Sequence, residues 1–235
     1  MPRITFAVCP TRPSVIHVTT LLLIRHGRSV ANVDGVLAGR SDSPLDDLGR
    51  DQALDLGSRL TDVPLDLLVT SPQLRARQTA DLVAAGRAQA LVDDSFAECD
   101  YGDWSGAALS ELATEPAWET VQWLPSAAQF PQGETMAQMA HRATHGVQHL
   151  VRSHPDAVVW VVSHGDVIKA ILADALGLHL DHFQRIVVDT ASLSVVHYTP
   201  RRPFVERIND TGTIRLARKP DEKGSDAVVG GRTSQ

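Results

Sequence analysis

The sequence predicts an α/β fold of three layers, in which a mostly parallel central sheet carries helices on both faces. Two short runs, at 21–24 and 158–162, are wholly apolar and end abruptly in polar residues, which is typical of strands buried on both faces. Predicted strands and helices alternate through the first 180 residues, as expected for parallel strands joined by helices. A chain of 235 residues with 43% apolar residues can bury such a core as one domain.

Breaker residues and apolar spacing divide the first half of the chain. Ser71 followed by Pro72 predicts a helix start, because proline suits the first helical position, and the polar stretch before it is long enough to indicate a functional loop. The elements expected are a strand at 21–24, a loop at 28–46, a helix from Asp46/Asp47 to about Leu60, a strand at 65–70, a helix from Ser71 to Ala85 and a short strand at 90–92.

The second half begins with an irregular region, 95–133, that contains short helical pieces at 107–112 and 118–124. The elements expected after it are a helix at 134–153, a strand at 157–163, a helix from Gly165 to about Leu176 and strands at 186–188, 193–198 and 204–208. For the domain organisation we expect an N-terminal extension at 1–17, a single domain at 18–216 with a cap-like insertion around 99–133, and a flexible tail at 217–235. One hypothesis is that translation begins near Val18, so that 1–17 would be a mis-assigned start.

The charge and the cysteines limit the classes of partner. A net charge of -6 argues against binding to nucleic acid or to a membrane surface, since both are polyanions, and no apolar stretch is long enough to span a membrane. Cys9 and Cys99 cannot build a disulfide framework, which favours a cytoplasmic protein. An anionic ligand would then need a local cluster of cations.

Two histidines stand where such a cluster could form. His26 and His164 each lie between a predicted buried strand and a glycine. Ligands of open α/β sheets bind at the carboxyl ends of the strands, and two neighbouring parallel strands would bring the rings side by side. One histidine alone would more often be a packing residue, but two in the same context favour function.

The residues around the histidines suit a phosphate dianion. Arg25 precedes His26, and Arg75 lies in the first turns of a predicted helix; the planar arginine fork binds phosphate oxygens in pairs. Gly27 and Gly165 are expected to leave backbone N–H groups open to a ligand, the latter at a helix N-terminus that attracts anions.

Other routes to phosphoryl or acyl transfer lack their motifs. The chain has no G-x-x-x-x-G-K-[ST] or G-x-G-x-x-G loop, no G-x-S-x-G elbow, and no arginine six residues after either cysteine. By elimination the nucleophile is a histidine. His141, His145 and His149 recur at helical spacing and could hold a metal ion, but we interpret them as one exposed helix face, and no metal site is predicted.

Five motifs resemble those of the histidine phosphatase superfamily, which includes the cofactor-dependent phosphoglycerate mutases. They occur in the family's order and are Leu21–Ser29 with Asn32, Ser71–Ala80, Glu98–Gly106, Phe130–Glu134 and Val161–Asp166. The stretch 191–198 is similar to a group of actinobacterial members described as phosphatases or phosphomutases. The resemblance implies a phosphoglycerate mutase-like fold and a phosphoric monoester hydrolase that needs neither metal nor cofactor. It also implies a small phosphorylated metabolite as substrate and allows a homodimer.

The resemblance also implies roles for single residues. His26 would attack phosphorus, while Arg25, Arg75 and His164 hold the phosphoryl oxygens. Glu98 would protonate the leaving oxygen and then activate water. Asn32, Gly27 and Gly165 would line the pocket. Because Glu98 must be protonated while His26 is not, we expect a mildly acidic optimum.

Several alternatives stay open. Arg28 stands where many relatives have Glu or Gln, so it either meets a second anionic group of the substrate or is a solvated loop residue, and Arg40 is a further candidate for substrate contact. Gln73 replaces a common Leu, which we take as a matter of packing. Trp118 and Trp123 either shape the substrate site or form the core of a small cap. The segment 98–104 resembles phosphatases more than mutases; a mutase, or a binding protein without turnover, are the other functions considered.

Overall fold

The computed structural model describes residues 17–212, which form one six-stranded sheet between helices. The strands are β1 (Thr19–Arg25), β2 (Leu67–Thr70), β3 (Leu91–Val92), β4 (Val158–Ser163), β5 (Leu193–Tyr198) and β6 (Pro203–Asp210). Their order in the sheet is β3-β2-β4-β1-β5-β6. The first four of these are parallel, whereas β5 runs antiparallel to β1 and β6 antiparallel to β5. The expected mostly parallel sheet is confirmed.

The helices cover both faces of the sheet. They are α1 (Val30–Asp34), α2 (Asp47–Arg59), α3 (Leu74–Ala84), α4 (Leu109–Leu112), α5 (Pro116–Trp123), α6 (Met136–Ser153) and α7 (Gly165–Ala175), with short 3-10 turns between them. Successive side chains of a strand point to opposite faces, and β1 shows this: Leu21 and Leu23 pack in a core with α6 and α7, while Leu22 and Ile24 pack with α2 and α3. The three-layer prediction therefore holds.

Several expected elements differ from the structure. The loop expected at 28–46 contains α1, because Ser29 and Asn32 form a capping box that starts a short helix. The helix expected from Ser71 starts at Leu74 with Gln73 as its N-cap residue, because Ser71 continues the ladder by donating its N–H to Val162 O. The long helix starts at Met136, where Thr135 and Gln138 form a capping box. Residues 186–188, expected as a strand, follow a 3-10 turn and pair with no neighbour within the described range.

Three of the expected segments lie outside the described residues or remain untested. All of the tail at 217–235, and the proposed extension except for residue 17, fall outside 17–212. The 99–133 segment contains α4, α5 and several 3-10 turns, and its role as a cap stays a prediction. No helix in the described part of the chain is long and apolar enough to cross a membrane.

A close backbone contact fixes α2 behind the end of β1. A Cβ atom built on Gly49 would lie 1.9 Å from Arg28 O, and one on Gly27 would lie 2.3 Å from Gly49 O. Real atoms cannot approach so closely, so both positions need glycine for steric reasons. The contact sets the distance between α2 and the residues that follow the strand.

Gly49→Ala should therefore destabilise the protein by more than the ~1–3 kcal/mol typical of an overpacked core. The neighbouring exposed change Asp51→Ala, on the same helix, should stay within about 0.5 kcal/mol of the wild type. Urea unfolding followed by circular dichroism measures both. Equal stability of the two variants would contradict the contact.

Candidate active site

The site lies where β1 and β4 end side by side. Arg25 pairs with Ser163 in the parallel ladder, and the His26 N–H donates to Ser163 O at 3.0 Å. The next residue on each strand is a histidine, and the two ring centroids lie 5.1 Å apart. The strand register thus brings His26 and His164 together, as the sequence predicted for neighbouring parallel strands.

His26 presents an unprotonated nitrogen to the site. Its Nδ1 lies 2.7 Å from Gly27 O, and because a carbonyl can only accept, Nδ1 carries the hydrogen and Nε2 the lone pair. Burial, followed by the positive charges of Arg75 and Arg25, holds the pKa of His26 well below its usual value. The ring is therefore neutral in mildly acidic solution, with Nε2 available as a nucleophile.

Two buried guanidinium groups act on the His26 ring. The Arg75 Nε–H donates to His26 Nε2 at 3.3 Å, and its terminal nitrogens donate to Ser41 O and Gly39 O at 2.9 and 2.7 Å. Arg25 is fully buried and donates to Val188 O at 2.8 Å. Backbone carbonyls thus hold both side chains in place, so the positive charges are fixed before a ligand arrives.

Glu98 supplies a buried carboxyl group beside His164. Its Oε1 accepts from the Cys99 N–H at 2.9 Å, and its Oε2 lies 3.7 Å from His164 Nδ1. Burial, followed by the nearby Asp166 carboxylate, raises the pKa of Glu98 to about 7, although Arg75, the Cys99 N–H and Arg25 act against that rise. Burial was expected to offset the arginines, and it is the largest cause of the raised pKa of Glu98.

His164 is hydrogen-bonded to a cluster that includes Gln73, a residue expected from the sequence only to pack. Its Nε2 lies 2.6 Å from Ser71 Oγ and 3.1 Å from Gln73 Oε1. Gln73 Oε1 also accepts from the Ser71 hydroxyl at 2.5 Å and from the Glu98 N–H at 3.2 Å. The interpretation of Gln73 as a packing residue was wrong, because its amide is a hydrogen-bonding centre between three segments of the site.

The five residues expected to bind substrate differ in whether protein groups already occupy their hydrogen-bonding atoms. Gly165 is the first residue of α7, where the first N–H groups lack intrahelical partners, and this agrees with an open amide. The Gly27 N–H donates to Thr79 Oγ1 at 3.0 Å, so it is not the open amide that was expected; this glycine is required instead by its contact with Gly49.

The other three have protein partners as well. The amide oxygen of Asn32 accepts from the Ser29 N–H and hydroxyl, both at 3.0 Å, in the capping box of α1. Arg28 forms an ion pair with Asp46 through Nε at 2.8 Å. Arg40 has a side chain 44% exposed, and it reaches Glu134 Oε1 at 3.4 Å and Glu98 O at 3.3 Å. Their contacts with a substrate stay predictions.

Arg142 holds the backbone of the Glu98 segment, a role that was not predicted from the sequence. Its guanidinium on α6 donates to Ala97 O at 2.7 Å and Glu98 O at 2.9 Å, and it pairs with Glu134 at 2.6 Å. Glu134 in turn accepts from the Asp100 N–H at 2.9 Å. The available signal was the P-x-G-E stretch followed by an arginine eight residues later, which is about two turns along the helix expected at 134–153.

The exposed histidines of α6 do not form a metal site with other groups. The rings of His141 and His145 stack with centroids 6.3 Å apart. Within residues 17–212, no group of three His, Cys, Asp or Glu residues is placed to hold a metal ion.

In the segment 99–133, Trp118 lies beside Trp104 with ring centroids 6.2 Å apart, while Trp123 is 76% exposed.

One family model and several known enzymes are similar to this chain in sequence. The model of the histidine phosphatase superfamily (branch 1) matches residues 21–211. Phosphoserine phosphatase 1 of Hydrogenobacter thermophilus is 30% identical over 81% of this chain and 92% of its own length. A probable phosphoglycerate mutase of Proteus mirabilis is 30% identical over 75% of this chain and 83% of its own.

Solved structures agree. Bacillus stearothermophilus YhfR superposes with a TM-score of 0.76 at 32% identity, covering 80% of this chain and 95% of its own. The mycobacterial glucosyl-3-phosphoglycerate phosphatase gives a TM-score of 0.74 at 26% identity, covering 82% and 99%. With the five motifs, the paired histidines and the matched family model, the chain belongs to the histidine phosphatase superfamily.

Proposed function

We propose that this protein hydrolyses a small phosphomonoester through a phosphohistidine on His26, with Glu98 as general acid and base. The observation that carries the proposal is the arrangement of three groups: an unprotonated Nε2 on His26, a guanidinium 3.3 Å from it, and a carboxyl group whose pKa is raised to about 7. Nucleophile, charge stabiliser and proton donor are the three groups that phosphoryl transfer requires.

In the first step Nε2 of His26 attacks phosphorus opposite the ester oxygen, forming the N–P bond as the P–O bond breaks. Arg75, which now donates to Nε2, is placed to donate to a phosphoryl oxygen beside it, and Arg25 adds a second buried positive charge. Glu98 gives its proton to the leaving oxygen. The hydrogen bond from Nδ1 to Gly27 O keeps the ring oriented throughout.

In the second step water replaces the alcohol. Glu98, now ionised, removes a proton from water as the oxygen attacks phosphorus, the N–P bond breaks, and inorganic phosphate leaves. Glu98 ends protonated and His26 neutral, so the cycle is closed. The raised pKa serves both halves, because the group is an acid in the free enzyme and a base after it has given its proton away.

The relatives suggest where to look for the substrate. Relatives named for their substrates include an α-ribazole-5'-phosphate phosphatase, a phosphoserine phosphatase and a glucosyl-3-phosphoglycerate phosphatase. The substrates of the last two carry a carboxylate near the phosphate. Arg40, part-exposed beside the Glu98 backbone, is our candidate for contact with such a group. Arg28 is the weaker candidate, because Asp46 already neutralises it. We propose cytoplasmic action and leave open a homodimer.

Incubation of the full chain with p-nitrophenyl phosphate, phosphoserine and phosphoglycerates should release inorganic phosphate, with or without EDTA. His26→Ala should reduce kcat/KM by at least about 10³, because the nucleophile is removed. The matched control His149→Ala, which changes an exposed histidine on α6, should retain wild-type activity. Full turnover by His26→Ala would contradict the proposal.

The same assay separates phosphatase from mutase, the alternative favoured by the probable mutase among the relatives. A mutase would interconvert phosphoglycerates without net release of phosphate. We expect release, because the only acceptor our mechanism needs is water. Phosphate binding without turnover of any substrate would identify a binding protein instead.

Glu98→Gln should separate the two steps. With p-nitrophenyl phosphate the leaving group needs little protonation, so phosphorylation should still occur, while attack by water loses its general base. We expect steady-state kcat to fall by about 10²–10⁴ after a burst of p-nitrophenol close to one equivalent, with acid-labile phosphate on His26. The control Glu206→Gln lies on the edge strand β6 and should show wild-type kinetics.

The pH dependence follows from the same groups. The raised pKa of Glu98 keeps the acid form below about pH 7, and the lowered pKa of His26 keeps the nucleophile neutral in mildly acidic solution. With an alkyl phosphomonoester, kcat/KM should therefore be highest at mildly acidic pH and fall as pH rises through about 7. A maximum well above neutrality would exclude Glu98 as the acid.

A further inference from the structure

The amide of Gln73 is held in one orientation by a donor that cannot change. The backbone N–H of Glu98 points to it at 3.2 Å, and since a backbone N–H only donates, the atom facing it must be the oxygen. Gln73 is 6% exposed and its side chain makes no capping bond to α3, although it is the N-cap residue. The oxygen is directed into the site instead.

Two short contacts then fix the direction of the hydrogen bonds. The Ser71 oxygen lies 2.5 Å from Gln73 Oε1 and 2.6 Å from His164 Nε2. Two oxygens at 2.5 Å need a hydrogen between them, and the serine hydroxyl is the only donor of the two. Ser71 therefore donates to Gln73, which leaves its oxygen as an acceptor for His164.

His164 must then carry its hydrogen on Nε2. That nitrogen faces two acceptors, Ser71 Oγ at 2.6 Å and Gln73 Oε1 at 3.1 Å. A lone pair there would be repelled by both. In the neutral ring the other nitrogen, Nδ1, is consequently unprotonated. Nδ1 is fully buried and has no hydrogen-bond partner among residues 17–212. It lies 3.7 Å from Glu98 Oε2.

The surroundings of His164 keep the ring neutral. The charged and titratable groups that face it are Arg75 from α3, His26 and Arg25 from the end of β1, Arg142 from α6, and Glu98. Burial and the four cationic or potentially cationic groups hold the pKa of His164 well below its usual value. The Glu98 carboxyl group, whose Oε2 lies 3.7 Å from Nδ1, is the acidic group of this set.

We propose that Gln73 is a positioning residue, which places the hydrogen of neutral His164 on Nε2 and makes Nδ1 a proton acceptor toward the phosphoryl group. This deepens the proposed function and rests on it. A phosphoryl dianion would meet a lone pair at Nδ1, so it binds productively only with one more proton, shared between Nδ1 and a phosphoryl oxygen. The productive complex therefore needs two protons, one there and one on Glu98.

A leucine at position 73 would remove this requirement. Without the Gln73 oxygen, the Ser71 hydroxyl can donate to His164 Nε2. The hydrogen of the neutral ring then moves to Nδ1, where the Glu98 carboxylate or a phosphoryl oxygen can accept it. The neutral ring would bind the dianion directly.

The position of the hydrogen can be observed without any enzymatic activity. Long-range ¹H–¹⁵N spectra of the full chain labelled with ¹⁵N-histidine, with His164 assigned by its loss in His164→Gln, distinguish the two neutral forms. We expect Nε2–H in the wild type and in Ser71→Ala, where Gln73 Oε1 still accepts, and Nδ1–H in Gln73→Leu. Nδ1–H in the wild type, or Nε2–H in Gln73→Leu, would overturn the proposal, and the wild-type spectrum decides even if Gln73→Leu does not fold.

Kinetics then test the consequence. Above neutrality, the slope of log kcat/KM against pH for p-nitrophenyl phosphate should be one unit shallower in Gln73→Leu than in the wild type, so that the variant gains about tenfold relative to the wild type for each pH unit. A merely structural role would lower the curve of Gln73→Leu parallel to that of the wild type and would overturn the proposal, as would a changed slope in the control Gln89→Leu, an exposed glutamine. Absence of turnover in the wild type would count against the proposed function and leave the spectra as the test of Gln73.

Discussion

The site depends on the parallel register between β1 and β4. This pairing aligns Arg25 with Ser163, so the residue that follows each strand lies at the same height and the two histidine rings meet. Every other functional group is positioned relative to that pair: Arg75 from α3 beside β2, and Glu98 from the turn beyond β3. If either strand slipped by one residue, its histidine would turn to the other face of the sheet.

Burial shifts the pKa values of His26 and Glu98 in opposite directions. Loss of solvent disfavours the charged form of each, so it lowers the pKa of His26 and raises that of Glu98. The arginines strengthen the first effect and oppose the second. The pair is therefore neutral in the free site: a base without its proton beside an acid that retains one. Removal from water, more than any single charge, sets this arrangement.

The sequence predicts the features that depend on local pattern. Apolar runs identify β1 and β4, and the motifs identify His26, Arg75, Glu98 and His164, which the fold brings together. It does not predict what depends on contacts between distant segments. Gln73 looks like a neutral replacement until the Glu98 N–H is seen to fix its amide. Gly27 looks like a ligand contact until the backbone of α2 is seen against it, and Arg142 acts on carbonyls some 45 residues away.

The central place of β1 has a consequence for how the protein is made. Its run of leucines leaves the ribosome well before its parallel partner β4, which begins at Val158, and its other neighbour, β5, is later still. At about 5–20 residues per second, synthesis of the intervening chain takes on the order of 10 s. During that interval this apolar strand has both edges unpaired, which makes the nascent chain a candidate for chaperone binding and for aggregation when synthesis stalls.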